Sequence, residues 1–511
     1  MPVLLPIDGG ATPTPDDILL MKLGMDERAL ALLESQVAEL AQTKAALESQ
    51  LARVRASLDA SISSFEDAAL RRDALLLQVR EQRTALGPLR RFPDELFVEI
   101  FEYLAFQPYE RSPELFISSS VMRARAPFAC AAVCRRWRRA ALGAPSLWHY
   151  ILVPQLSPAT NQESRVLGYV ETILDRSAAA SLVIVFDLID GVTPLYGKLL
   201  ELLAPQLHRW RAFSATLSDQ RAVRSVLQCL SGPAPMLIMV LVIVRPHGQF
   251  TLLADNGTPV SSDSSRFLCY APRLRRIWVE NVPFLWHEQE DLPDLRQLKI
   301  AQKVLADSFW DTLRAGSKTL ERLTIVSHQL PAAPTAPIHL PSLSSLHVGV
   351  RAWQLLHHFP EAMVVPKLQY LFVNYGRPHL IEPFLSRISS TLVSLRHSTV
   401  VDEADIAALQ HLSALTSVYL QGGTVSTLLF ERLCQAENCM WPRLTNITLD
   451  GVRLEPANGD SLVRFVRTRA RTPVDADAPS PWRKLESVTF LSDHNVPRWD
   501  VAEIRRLLGN S

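Results

Sequence analysis

Thiols and imidazoles at chemically useful spacings are few in this chain of 511 residues. The six cysteines are Cys130, Cys134, Cys229, Cys269, Cys434 and Cys439, and none forms a CxxC pair. With no histidine pair at finger spacing either, a zinc site is not indicated. Cys434 and Cys439 lie five apart, off one helical face. Cys134 stands beside Arg135 and Arg136, the electropositive setting that activates a nucleophilic thiol. The 13 histidines are scattered, and His357-His358 sits in an apolar segment where a structural role outweighs metal binding. The chain has no GxxxxGKS or GxxxxGKT phosphate loop, no GxSxG elbow and no HExxH helix. The expectation is a protein that acts by binding, without catalysis, cofactor or metal.

Composition narrows the partners. Lys+Arg 53 against Asp+Glu 52 leaves almost no net charge, which argues against a chain built to coat nucleic acid or acidic membranes. The longest strongly apolar run, Met236 to Val244, is half of what a membrane-spanning helix needs. The opening MPVLLPIDGG lacks a basic start followed by an apolar stretch, so a secretory signal is not expected. Cytoplasm or nucleus is the expected location.

The positioning elements divide the chain into four. Residues 1–24 hold Pro2, Pro6, Gly9, Gly10, Pro13 and Pro15 and are expected to lack fixed structure. Residues 25–87 form one long helix, closed by Gly87-Pro88. One heptad seam is Leu30, Val37, Lys44, Leu51, Leu58 and Phe65; the other is Leu33, Leu40, Leu47, Val54, Ser61 and Ala68. Ten of these twelve are apolar, the coiled-coil period, so residues 25–86 either pair two chains or fold back on their own.

Residues 88–150 carry the most specific local pattern. In the stretch Leu89 to Leu104, Pro93 suits a first helical turn, and Asp94 and Glu95 suit the positive helix end. Leu96, Ile100, Phe101 and Leu104 then make an apolar stripe. After a Pro- and Ser-containing connection over 105–127 come Val133-Cys134-Arg135-Arg136-Trp137 and Leu147-Trp148. Arg123, Arg125, Arg135, Arg136, Arg138 and Arg139 lie in a stretch with no acidic residue from Leu115 to Gln162; a solvated helix face is favoured over a phosphate contact.

These two stretches resemble the halves of an F-box: a Leu-Pro-x-Glu-Leu helix with Ile-Phe and Leu further on, then Val-Cys-Arg-x-Trp, then Leu-Trp. Phe92 stands where that family has Leu, and the connection between the halves is longer. The long preceding helix is similar to that of many fungal F-box proteins. The resemblance implies a small helical module that docks on a Skp-type adaptor and, through it, a cullin–RING ubiquitin ligase. By matching positions the adaptor contacts would be Phe92, Pro93, Leu96, Ile100, Phe101, Leu104, Val133, Cys134 and Trp137. On that reading Cys134 is a core or adaptor contact instead of a nucleophile.

Residues 151–511 repeat. The pattern Leu-x-x-φ-x-φ, φ being apolar, begins at Leu274, Leu295, Leu320, Leu343, Leu368, Leu392, Leu415, Leu444 and Leu485. All nine are apolar at the fourth position, and at the sixth only His397 departs. The intervals run 21, 25, 23, 25, 24, 23, 29 and 41 residues. Pro stands two residues before the leading Leu at Pro272, Pro293, Pro341, Pro366 and Pro442. The segments Leu182–Phe186, Leu207–Phe213 and Leu237–Val244 read as earlier, irregular strands, and Leu305–Leu313 as a return helix. The repeat resembles leucine-rich repeats, although the Asn they place eight residues after the leading Leu is replaced by Val282, Lys303, His328 and Arg351.

The expected fold class is therefore α+β and multi-domain: a long helix or coiled coil, a small all-helical F-box and a leucine-rich-repeat-like α/β solenoid. The expected function is the substrate receptor of a Skp–cullin–F-box ubiquitin ligase in ubiquitin-dependent protein degradation; a repeat scaffold outside the ubiquitin system is the alternative. If fourth and sixth positions face the core, third and fifth face outward. Arg276, Trp278, Arg322, Tyr370, Phe372, Arg396 and Tyr419 then form an aromatic and basic strip for an acidic or phosphorylated target segment.

Overall fold

The computed structural model describes residues 14–86, 92–105, 120–153, 163–187, 194–218, 220–245, 270–282, 292–305, 309–398, 401–435, 439–455, 460–470, 482–492 and 495–509. It is a mixed helix and sheet protein of two compact units, 1–93 and 94–511.

The first unit is one uninterrupted helix, α1, Pro15–Leu86, of 72 residues. It starts ten residues earlier than expected, because the N-terminal prolines do not preclude a start. Pro15 occupies the first turn, where its missing N–H costs nothing. The Asp17 carboxylate accepts from the Thr14 amide at 3.1 Å and the Thr14 hydroxyl at 2.7 Å, closing the helix end. Its side chains are exposed almost throughout, the heptad seam included. The helix contains no turn, so the chain does not fold back within it.

The second unit opens with α2 (Asp94–Ala105), α3 (Val121–Val133), α4 (Arg135–Leu142) and a 3-10 turn over Pro145–Trp148. Part of the expected connection, Val121 to Pro127, is thus helical, started by Ser120, whose hydroxyl accepts from the Arg123 amide. Among the described residues a 13-stranded parallel sheet follows, its strand order that of the chain. Its strands are Tyr150–Val153, Leu182–Asp187, Trp210–Leu217, Met239–Val244, Arg276–Glu280, Gln297–Val304 and Arg322–Gln329. Then come Ser345–Val350, Tyr370–Asn374, Ser394–Ser398, Ser417–Gln421, Asn446–Asp450 and Ser487–Leu491. Helices such as Phe309–Ala315, Glu382–Ile388 and Asp460–Ala470 lie between strands.

The helices of 94–150 lie in the same compact unit as the sheet and share one apolar core with it. Trp148 is fully buried, and its indole N–H donates to Ala141 O at 2.8 Å. The Phe128 ring meets Trp148 edge-on at 5.0 Å and Tyr169 at 5.9 Å, tying the helical module to the first return helix, Glu163–Ser177. A module this small cannot bury its aromatic side chains alone.

All nine leading leucines are buried. Where Pro precedes by two, it sits at the second place of a β-turn whose closing hydrogen bond the leucine amide donates: Leu274 to Ala271 O at 3.0 Å, Leu343 to Leu340 O at 3.2 Å and Leu444 to Trp441 O at 3.1 Å. Proline's fixed φ is pre-set for that place. At the strand exit, seven residues after the leading Leu, the backbone is left-handed at Asn281, Val350, Tyr375, Gly422, Gly451 and Ser492. The amides of Asn281, Tyr375, Gly422 and Gly451 each donate to a carbonyl of the next strand, at 2.7 to 3.0 Å, and for the last three it is that strand's final carbonyl.

Val350, β-branched at φ 53°, is the strained member of the set. Val350→Asn is expected to stabilise the fold by about 1 kcal/mol. An unchanged or lower urea midpoint would contradict the strain.

Candidate functional site

Two surfaces of the second unit gather the residues singled out in sequence. On α2, Phe97, Phe101 and Ala105 face inward and Leu96, Ile100 and Leu104 face outward. Phe101 is 1% exposed and lies 4.9 Å from the Trp137 ring, with Phe97 5.7 Å from the same ring. Phe101 is therefore a core residue of the module, not a surface contact, and Trp137 is partly buried beside it. Leu96, Ile100 and Leu104 are 39%, 44% and 51% exposed. Val133 is exposed as well. Phe92 and Pro93, the last residues of the first unit, are exposed.

Several of the module's charges are paired internally. Asp94 binds Arg136 at 2.8 Å and Arg139 at 3.1 Å, and these hydrogen bonds hold its carboxyl below the usual range. Arg138 donates to Ala131 O at 2.9 Å. Cys134 caps α4, its sulfur accepting from the Trp137 amide at 3.5 Å, and its side chain is exposed. Arg123 lies 4.4 Å over the Tyr150 ring and 2.9 Å from His149 Nε2. His149 Nδ1 is 2.6 Å from Ser146 O, so the Nδ1–H tautomer donates there and accepts from Arg123. Burial, then the Arg123 charge, lowers His149 to about 4.

The second surface is the sheet face opposite the core. In the first four strands this face is itself apolar and buried, through Tyr150, Leu152, Val183, Val185, Met239, Leu241 and Ile243. From Arg276 onward the strands alternate. Because neighbouring strands pair in phase, fifth-position residues form one ladder: Trp278, Lys299, Thr324, His347, Phe372, Arg396, Tyr419. Their side chains stack. Lys299 sits 3.5 Å over Trp278. His347 stacks on Phe372 at 4.2 Å, and Arg396 lies between Phe372 at 4.6 Å and Tyr419 at 4.3 Å. Gln421 accepts from Arg396 at 2.7 Å, and the Tyr419 hydroxyl donates to Asp450 at 2.5 Å. In the third-position ladder Arg276 and Arg322 flank Gln297, whose amide oxygen accepts from Arg322 at 2.6 and 3.0 Å; Tyr370 further along is half exposed. All seven residues of the expected strip lie on this face. Phe372, Arg396 and Tyr419 are half-buried by each other, and not by the core. Lys299 and His347, outward by the same fifth-position reading, also belong to it, as do Gln421 and Asp450; reading the seventh positions as well would have found the last two.

His379, Asp402 and Asp405 bring possible metal-ligand atoms within 4.8 Å of one another. Arg377 already bonds both carboxylates, at 2.9 and 3.1 Å, and Asp405 also accepts from the His379 amide and Nδ1. A guanidinium occupies the electrostatic role a cation would take. The cluster caps the helix Glu403–Leu409.

Burial, then Lys299 and Arg396, lowers His347 to about 4. Both His149 and His347 are thus neutral in the fold at neutral pH and protonate more readily when unfolded. Their contribution is present above about pH 6.5 and is lost as pH falls toward 4, at most about 3 kcal/mol each. Asp94, Asp294 and Asp450, all held below their usual range, act at still lower pH. The unfolding midpoint should fall between pH 6.5 and 4, and His149→Asn should flatten that slope. An unchanged slope would refute the assignment.

Comparison with protein-family models returns no match to this chain, and comparison with curated proteins returns none. Among the described residues no helix is long and apolar enough to cross a membrane.

Proposed function

We propose that this chain is the substrate receptor of a Skp–cullin–F-box type ubiquitin ligase, acting by binding and not by catalysis. The observation that carries the reading is the split of α2. One apolar edge is locked in the core with Trp137, and the other, Leu96, Ile100 and Leu104, is left to solvent in the segment that resembles the first half of an F-box. An apolar helix edge held rigidly in water is what an adaptor would cover. On this reading the 13 in-phase strands are the turns of a leucine-rich-repeat-like solenoid, and their polar face is the target surface. Its aromatic rings and Arg276, Arg322 and Arg396 are suited to an acidic or phosphorylated segment. Cytoplasm or nucleus would be the site of action.

Titrating the full chain with a purified Skp-type adaptor by calorimetry tests the first half; no detectable heat at micromolar concentration would leave a repeat scaffold outside the ubiquitin system. Phe372→Ala with Tyr419→Ala tests the second. Target capture should be lost while adaptor affinity and the unfolding midpoint stay near wild type.

A further inference from the structure

The whole seam of α1 is exposed: Leu30, Leu33, Val37, Leu40, Leu47, Leu51, Val54, Leu58 and Phe65 are each more than half exposed. A helix of 72 residues is about 108 Å long, and a seam of six consecutive heptads along it, apolar at ten of its twelve positions, needs a cover of the same period. We infer that the cover is a second copy of the same helix, in a parallel, in-register, two-stranded coiled coil.

The residues beside the seam favour that occupant. At the positions following the second seam, in heptad order, stand Glu34, Ala41, Glu48 and Arg55; at those preceding the first seam stand Gln36, Thr43, Gln50 and Ser57. In a parallel pair these two sets face each other across the interface. One set is uncharged, so no like charges meet along that stretch. Lys44 is the charged residue in the seam, and its ammonium lies 3.9 Å from the Glu48 carboxylate. A single lysine at such a position selects two strands over three and fixes the register, because its stem can leave a two-stranded core for water. In-register parallel pairing sets Lys44 beside its own counterpart, each with a Glu48 to neutralise it. Antiparallel pairing with the helices most fully overlapped would instead set it against Val54 or Ser61.

Sedimentation of the full chain tests this. The expected mass is about 114 kDa, twice the 57.1 kDa of one chain. Leu40→Asp with Leu47→Asp and Val54→Asp should return it to one chain, with the thermal transition of the sheet unchanged. Lys44→Cys under mild oxidation should yield a peptide joined through position 44 of both chains. A monomer at micromolar concentration, a trimer or larger species, or a dimer that survives the aspartates would each overturn the inference. So would a dimer without the position-44 link, the result expected of an antiparallel pair.

Discussion

A full-length chain carrying Leu96→Lys and Ile100→Lys is expected to bind a Skp-type adaptor at least a hundredfold more weakly than wild type. Two ammonium groups would be forced into an interface that excludes water, at a cost of about 3 kcal/mol or more. Both side chains are exposed in the unbound protein, so its own stability should change by less than about 0.5 kcal/mol. The contrast is Phe101→Ala, five residues from Leu96. Phe101 fills the space between Phe97 and Trp137, and its loss should destabilise the fold by about 3–5 kcal/mol. Comparing calorimetric titration with the denaturant midpoint separates the two. Undiminished adaptor affinity in the double lysine variant would remove the F-box reading.

An equally large loss of stability is expected elsewhere, at Arg469. It is fully buried in the helix Asp460–Ala470. Its guanidinium donates to Leu433 O at 3.1 and 3.2 Å, to Trp441 O at 2.8 Å and to Met440 O at 2.6 Å. The rings of Trp482 and Phe465 flank it. These carbonyls end the helix Leu428–Leu433 and begin the turn before Leu444; Trp441 O also accepts from the Leu444 amide, whereas among the described residues those of Leu433 and Met440 rely on the guanidinium. Arg469→Met should cost about 3–5 kcal/mol by orphaning the buried carbonyls. Arg469→Lys should cost less, because an ammonium has three donors but not the planar fork. A urea midpoint within about 1 kcal/mol of wild type for the Met variant would show that water replaces the side chain.

What the sequence discloses here follows from periodicity. Nine leading leucines with apolar fourth and sixth positions are visible because a half-buried strand must alternate, and each of those leucines is buried. Even His397, the departure from the pattern, is buried, its Nε2 2.8 Å from Gly376 O. The first four strands are harder to read because both their faces are buried, so MVLVIV shows no alternation. On α2 two apolar edges run side by side, and spacing alone does not say which faces inward; the stripe read from sequence mixed Phe101 with its outward neighbours. The left-handed corners escape notice because Val350, Tyr375 and Ser492 are not residues that advertise such a backbone. Nothing around Arg469 marks it as the most deeply engaged of the arginines in its segment. The aromatic and basic stack was half legible. Its members follow from the alternation, and their contact follows from strands about 4.8 Å apart running in phase.

That the strand order is the order of the chain bears on how the protein is made. Each new strand leaves the ribosome to find its pairing neighbour already synthesised, typically some 20 to 30 residues upstream. No strand must wait for a distant partner, so assembly can proceed from the N-terminal side at the pace of translation. The helical module, packed against the start of the sheet, is complete before the first repeat appears and offers the growing edge its template. A stalled or truncated chain would accordingly keep an ordered front portion and end in an unpaired edge, the part that cellular quality control would meet first.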